Sequence, residues 1–379
     1  MTNFSKNIII IGSIWICINL LSGSAECRIK FVALPERGAI VIRLDHSDGA
    51  FIEEERTLSL EKGMNKIDFS WKDVRIKPDS IQLILSHPDK IQLLSIHYPS
   101  DENALIWEID SASKTDEQVR VCYLLEGLDH LIDYQLMVNE TEQKATLKIA
   151  LIVRNYSGEA FNYSNIWLGY GQMIPLSIAN EETRKISLKE VYPITLEKRW
   201  EWDAEKEIWQ NQSLEQSHGI PVQYEFSNII ANGLGKRVFS KGKVRVFQEK
   251  INGQPVFLGE DHIEAIPVGE MIKIRIGKSF DISVDQRVME NRKINIRNNL
   301  KNRIVLYDTE ELIHATVQNY KPTPLKLSMI QHIHGQWEMI ESNIPFLLKD
   351  SSTLLFDISF GPLEKKELSF RYNRRNLMP

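Results

Sequence analysis

Past an apolar leader, the chain alternates between hydrophobic and polar positions. Ala145, Leu147, Ile149, Leu151 and Val153 fall on one side of an extended backbone, with Lys144, Thr146 and Lys148 on the other. A period of two marks a half-buried strand, because successive side chains of a pleated backbone point to opposite faces. The same reading fits residues 80–85, 90–98, 118–125, 243–248, 271–277, 325–333, 353–360 and 366–372. Turn formers separate the runs: Asn252-Gly253, Pro267-Val268-Gly269, Gly335 and Gly361-Pro362. Such residues supply the backbone conformations that tight reversals need. No stretch of a dozen residues keeps a helical period. The pattern predicts an all-β fold of antiparallel, sandwich-like (immunoglobulin-like) domains.

The leader reads differently. Met1 to Asn7 carries Lys6 and no acid, Ile8 to Leu21 is apolar, and Ser22-Gly23-Ser24-Ala25 is small, which is the order of a secretory signal peptide. The apolar run falls short of the roughly 20 residues that a helix needs to cross a bilayer. Cleavage after Ala25 is expected, giving an exported chain, periplasmic or extracellular, that starts at Glu26 and has no transmembrane segment. Lipid anchoring at Cys27 is disfavoured by Glu26, since the residue before a lipidated cysteine is small. After the signal peptide of residues 1–25, three regions are expected: an N-terminal β domain at 26–113, a middle β domain with an irregular Trp-rich tail at 114–220, and a C-terminal β-sandwich at 221–379.

Charge and cysteine content narrow the partners. The formal net charge is −5, and becomes −6 once Lys6 leaves with the signal. A mildly acidic chain disfavours nucleic acid, and the one dense basic group noted is Arg371, Arg374 and Arg375 near the end. Export into an oxidising compartment makes Cys27 and Cys122 a candidate disulfide, the alternative being two buried thiols.

Candidate chemistry is sparse. Glu260, Asp261, His262 and Glu264 form the densest polar cluster, and a carboxylate pair beside an imidazole has the groups for acid–base work. No nucleophile or orienting group can be placed beside it, so a solvated sheet edge is the competing reading. Trp200, Trp202 and Trp209 suit a carbohydrate-stacking platform or the cover of a sheet edge. His332 and His334 share a strand face but are only two ligands, so no metal site is assigned. Asn232-Gly233-Leu234-Gly235-Lys236 lacks phosphate-loop spacing, and Gly277-Lys278-Ser279-Phe280-Asp281 lacks the second glycine of a nucleophile elbow. Asp45-His46-Ser47-Asp48-Gly49 lacks calcium-loop spacing and reads as a turn. No catalytic residue and no cofactor is assigned.

Several ordered motifs do form a pattern. Gly233-Leu234-Gly235-Lys236, Lys241-Gly242-Lys243-Val244-Arg245-Val246, Phe257-Leu258-Gly259-Glu260-Asp261, Pro267-Val268-Gly269-Glu270, Ile276 to Asp281 and Gly335-Gln336-Trp337-Glu338 follow one another. With Lys62-Gly63-Met64-Asn65 and Asn155-Tyr156-Ser157-Gly158-Glu159 upstream, the chain resembles the bacterial exported family "domain of unknown function 4139", related to mucoidy inhibitor A-like proteins. The resemblance implies an exported β-rich fold and carries no catalytic residues. This chain lacks the sustained heptads of members with a long coiled-coil insertion. Trp337 and Phe280 read as core anchors. The expected function is a non-enzymatic envelope protein that binds another protein or a polysaccharide; the alternative is an envelope glycan hydrolase or lyase, or a carbohydrate-binding module.

Overall fold

The structure, a computed structural model, describes residues 30–379 except 46–48, 101, 170, 207–218 and 251–252. The expected signal peptide, Cys27, Trp209 and the centre of the 45–49 turn lie outside the described residues. The fold is all-β, built of antiparallel-rich sheets in sandwich-like layers. No helix among the described residues is long and apolar enough to cross a membrane.

Two compact units emerge, and neither is continuous in sequence. One comprises the chain through Leu128 together with Asn155–Glu181; the other comprises Asp129–Arg154 and Glu182–Pro379. The polar stretch around residues 111–115 is a short turn that carries the chain from Ala104–Ser111 of one sheet to Thr115–Leu125 of another. The linear boundaries at 113 and 220 therefore fall inside the first and second units. Long-range pairing decides this: Thr115–Leu125 pairs along its whole length with Ala50–Leu60.

The first unit contains a four-stranded and a six-stranded sheet. Alternation buries Ile67 and Phe69 of Gly63–Ser70 and Trp107 and Ile109 of Ala104–Ser111. Phe69 stacks on Trp107 at 5.5 Å and reaches Tyr123 of the six-stranded sheet at 6.1 Å, so the two inner faces meet. Each large apolar side chain buried this way contributes about 1.5–3 kcal/mol. Gly158 turns the chain at φ 92°, where a Cβ would lie 1.9 Å from the Asp73 carbonyl oxygen, so only glycine fits.

The second unit contains a five-stranded sheet and a sandwich of six- and four-stranded sheets, the strands of the five- and six-stranded sheets interleaving along the chain. Trp200, Leu327 and Phe356 of the six-stranded sheet share one core with Ile313, Phe370 and Tyr372 of the four-stranded sheet. The four-stranded sheet is dominated by a long antiparallel hairpin, Ile282–Asn298 with Ile304–Asn319. Four of the five sheets also contain one parallel pair, such as Glu197–Asp203 beside Leu325–His332. Parallel neighbours need long crossovers, which these pairs have because their strands lie far apart in sequence.

Candidate functional site

The sequence-predicted polar cluster lies on Pro255–Ile263, an outer strand of the five-stranded sheet. Glu260 receives Arg245 Nε at 2.9 Å and also pairs with Lys243, both on the adjacent strand. The hydrogen bond from Lys243 is the chief cause holding the Glu260 carboxyl below its ordinary range. Arg245 bonds on to the buried Asp133 at 2.7 Å, so Glu260 ends a chain of alternating charges. Asp261 accepts the backbone N–H of His262 and of Arg275, each at 2.8 Å, pinning this strand to Met271–Ser279. Glu264 has a side chain 79% exposed and pairs with Lys241 at 3.1 Å. The residues are neighbours, but each carboxylate has a structural partner.

The tryptophan platform is corrected. Trp200 and Trp202 are 3% and 6% exposed and pack in the sandwich core, whereas a sugar ring needs an open indole face. Phe280 is corrected in the opposite direction: it is 69% exposed at the turn between Met271–Ser279 and Ile282–Asn298. Trp337 is half-buried against the same core.

His332 and His334 stack with planes 13° apart, and acids arrive from the end of Glu197–Asp203 and the turn after it. His332 Nε2 lies 3.2 Å from Asp203 Oδ1, and His334 Nε2 lies 3.6 Å from Glu205. Among the described residues no group of three or more such side chains is arranged to hold a metal. Cys122 is buried in Thr115–Leu125, and burial pushes its thiol up to about 11.

The motifs carrying the resemblance are structural. Asn65, Asn155 and Asn228 are fully buried, and each amide ties off a reversal. Asn65 Nδ2 donates to the Glu61 and Gly63 carbonyls, both at 2.9 Å. Asn155 Nδ2 donates to Glu159 and Ala179. Asn228 Nδ2 donates to Arg237, Ile266 and Pro267, while its Oδ1 accepts the Gly235 N–H. An asparagine that satisfies several backbone groups fixes a turn without water.

A charged centre not singled out in the sequence lies in the first unit. Glu54 is 0% exposed and is held by Arg37 Nε at 2.7 Å and Arg56 Nη2 at 2.8 Å. Arg37 continues to Glu159, whose other oxygen lies 3.5 Å from the Tyr123 hydroxyl. Burial, reinforced by the Glu54 carboxylate, pushes the Tyr123 phenol far up, so it stays protonated. A cavity of about 300 Å³ adjoins this network, with Phe69, Trp71 and Ile76 as its apolar wall and Arg37, Arg56, Glu159 and Asp68 as its polar wall. Among the described residues, Asp68 Oδ1 is buried without a hydrogen-bond partner. The arginines are already neutralised by Glu54 and Glu159, so Asp68 is the acceptor left to meet a donor group in the cavity. In the sequence, Glu53-Glu54-Glu55-Arg56 reads as a solvated charge run; only the alternation with Ala50 and Ile52 hints that Glu54 points inward.

No family model matches the chain, and no curated protein matches it.

Proposed function

We propose that this is an exported cell-envelope protein of the binding or scaffold kind rather than an enzyme. The observation that carries the reading is the commitment of Glu260. An acid–base pair needs one carboxyl that can hold a proton near neutral pH, and Glu260 is kept ionised by Lys243 and Arg245. The ordered motifs resembling "domain of unknown function 4139" support export. Binding has a surface to use. Ile91–His97 ends the four-stranded sheet of the first unit as an outer strand, with Leu94 and Ile96 exposed and Tyr98 exposed just beyond. An uncovered apolar edge presents unpaired backbone groups to an extended segment of a protein partner.

The test has two arms. A photo-crosslinking residue at Tyr98 is expected to capture an envelope protein, and Leu94→Ser/Ile96→Ser, which strips the exposed apolar side chains from this edge, to abolish that capture. Incubation with isolated envelope glycans is expected to release no reducing ends. Release of reducing ends that disappears in Glu260→Ala/Asp261→Ala/His262→Ala, while the variant still melts cooperatively, would overturn the reading.

One observation favours the hydrolase alternative at a different place: Asp68 and Glu159 line a single cavity. Glycan cleavage lost in Asp68→Asn but retained in the Glu260 variants would select it.

A further inference from the structure

The long hairpin Ile282–Asn298 with Ile304–Asn319 outruns its neighbour in the four-stranded sheet. Lys365–Leu377 pairs with it only from Gln318 as far as Tyr307, leaving the tip uncovered by that strand. Residues 295–307 contain Arg297, Lys301 and Arg303 and no Asp or Glu, although the whole chain is acidic. Apolar side chains share the tip. Leu300 at the apex is fully exposed, and Ile296, Ile304 and Val305 behind it are 50%, 36% and 41% exposed.

The apex closes on itself. Asn299 exchanges backbone bonds with the turn: its N–H reaches the Arg303 carbonyl and its carbonyl accepts the Asn302 N–H, both at 2.9 Å. Its side-chain Oδ1 accepts the N–H groups of Lys301 and Arg303 at 2.9 and 3.1 Å. Asn302 takes the left-handed conformation, φ 54°, that the reversal requires. Backbone donors that leave water must already be bonded, and these are. Lys301 and Arg303 carry no ion pair among the described residues, whereas Arg297 is held at the base by Asp308 at 2.8 Å.

We propose that this tip docks on an anionic lipid bilayer. Leu300 enters the boundary between headgroups and acyl chains, and Lys301 and Arg303 sit at the lipid phosphates. The combination selects the partner: a soluble polyanion would use the cations but has no place for an apolar apex, whereas an anionic membrane surface rewards both.

Flotation of the purified protein with vesicles tests this. It is expected to float with phosphatidylcholine–phosphatidylglycerol vesicles, to stay behind with phosphatidylcholine alone, and to release as salt rises. Lys301→Gln and Arg303→Gln should each weaken binding about fivefold. Leu300→Ser should weaken it several-fold with an unchanged melting midpoint, because its side chain touches solvent only. Equal flotation with neutral vesicles, or no flotation at all, would overturn the proposal. So would unaltered flotation of Leu300→Ser, since cations alone would then account for the attraction, and dextran sulfate would compete equally for both proteins.

Discussion

The indole Nε1–H of Trp337 donates to the Ser351 carbonyl at 2.8 Å. It thereby ties Gln336–Ser342, an outer strand of the four-stranded sheet, to the loop before Thr353–Phe360 of the six-stranded sheet. The ring body packs on the shared core beside Met339. Trp337→Ala is therefore expected to cost about 2–3 kcal/mol, less than the 3–5 kcal/mol of a fully buried tryptophan because part of the ring is solvated. Trp337→Phe keeps most of the packing and should lose only the hydrogen bond, about 1 kcal/mol. Urea unfolding of the two variants checks the order; equal losses would show that packing contributes nothing beyond the bond.

Glu54 should be the most sensitive charged position of the first unit. Removing its carboxylate leaves Arg37 and Arg56 facing each other without a counter-charge, and breaking a buried pair in this way costs about 3–5 kcal/mol. Glu54→Ala is expected to accelerate amide exchange throughout Ala50–Leu60 and its partner Thr115–Leu125. Replacing Arg56 with Met in the same chain should restore part of the protection. Unchanged exchange in Glu54→Ala would refute the structural role.

The thiol of Cys122 gives a pH signature. Its folded value is pushed up to about 11, first by burial and then by the Glu53 carboxylate, against about 8.5 for an exposed cysteine. The neutral thiol is favoured by folding, so its contribution is whole below about pH 8.5 and is lost as pH rises towards about 11. Stability of the natural chain should fall more steeply over that window than that of Cys122→Ala. The native thiol should also resist iodoacetamide and react on unfolding without prior reduction. Reaction only after a reductant would instead establish the pairing with Cys27.

Asp308 holds the base of the long hairpin. It accepts the Asn376 backbone N–H at 2.9 Å and Asn295 Nδ2 at 3.0 Å, and these bonds hold its carboxyl below the usual range. A depressed folded value means that its contribution is present above about pH 4, the unfolded value, and is lost as pH falls through the folded one. Protection of the amides at residues 295–307, their exchange compared with an unfolded chain at the same pH, should therefore fall below about pH 4, and Asp308→Asn should remove most of that dependence. Protection in the natural chain that does not change with acid would contradict the assignment.

Much of the local structure was legible in the sequence. The alternation at 145–153 becomes the strand Lys144–Asn155 with its apolar face buried, and the runs at 243–248, 325–333 and 353–360 become strands. Gly253, Gly269 and Gly335 take the positive φ that their turns require. These features are local: a side-chain period of two and a turn residue are written within a few neighbouring positions.

What only the tertiary structure decided depends on distant pairing. A period of two says which side chains share a face, not which face meets the core, so Trp200 and Trp202 could read as a platform until Ile313 and Phe370 were seen to cover the same core. Strand direction is equally silent in the pattern, and the parallel pairs were not expected. The Glu54 centre unites residues 37, 54, 56 and 159, and no local motif relates Glu159 to the others. The hairpin tip is the reverse case. Its cations and its Leu300 stand plainly in residues 295–307, but their meaning rests on exposure, which is set by where Lys365–Leu377 stops pairing. Chemistry is written residue by residue, whereas burial belongs to the partner strand that covers a face or leaves it open.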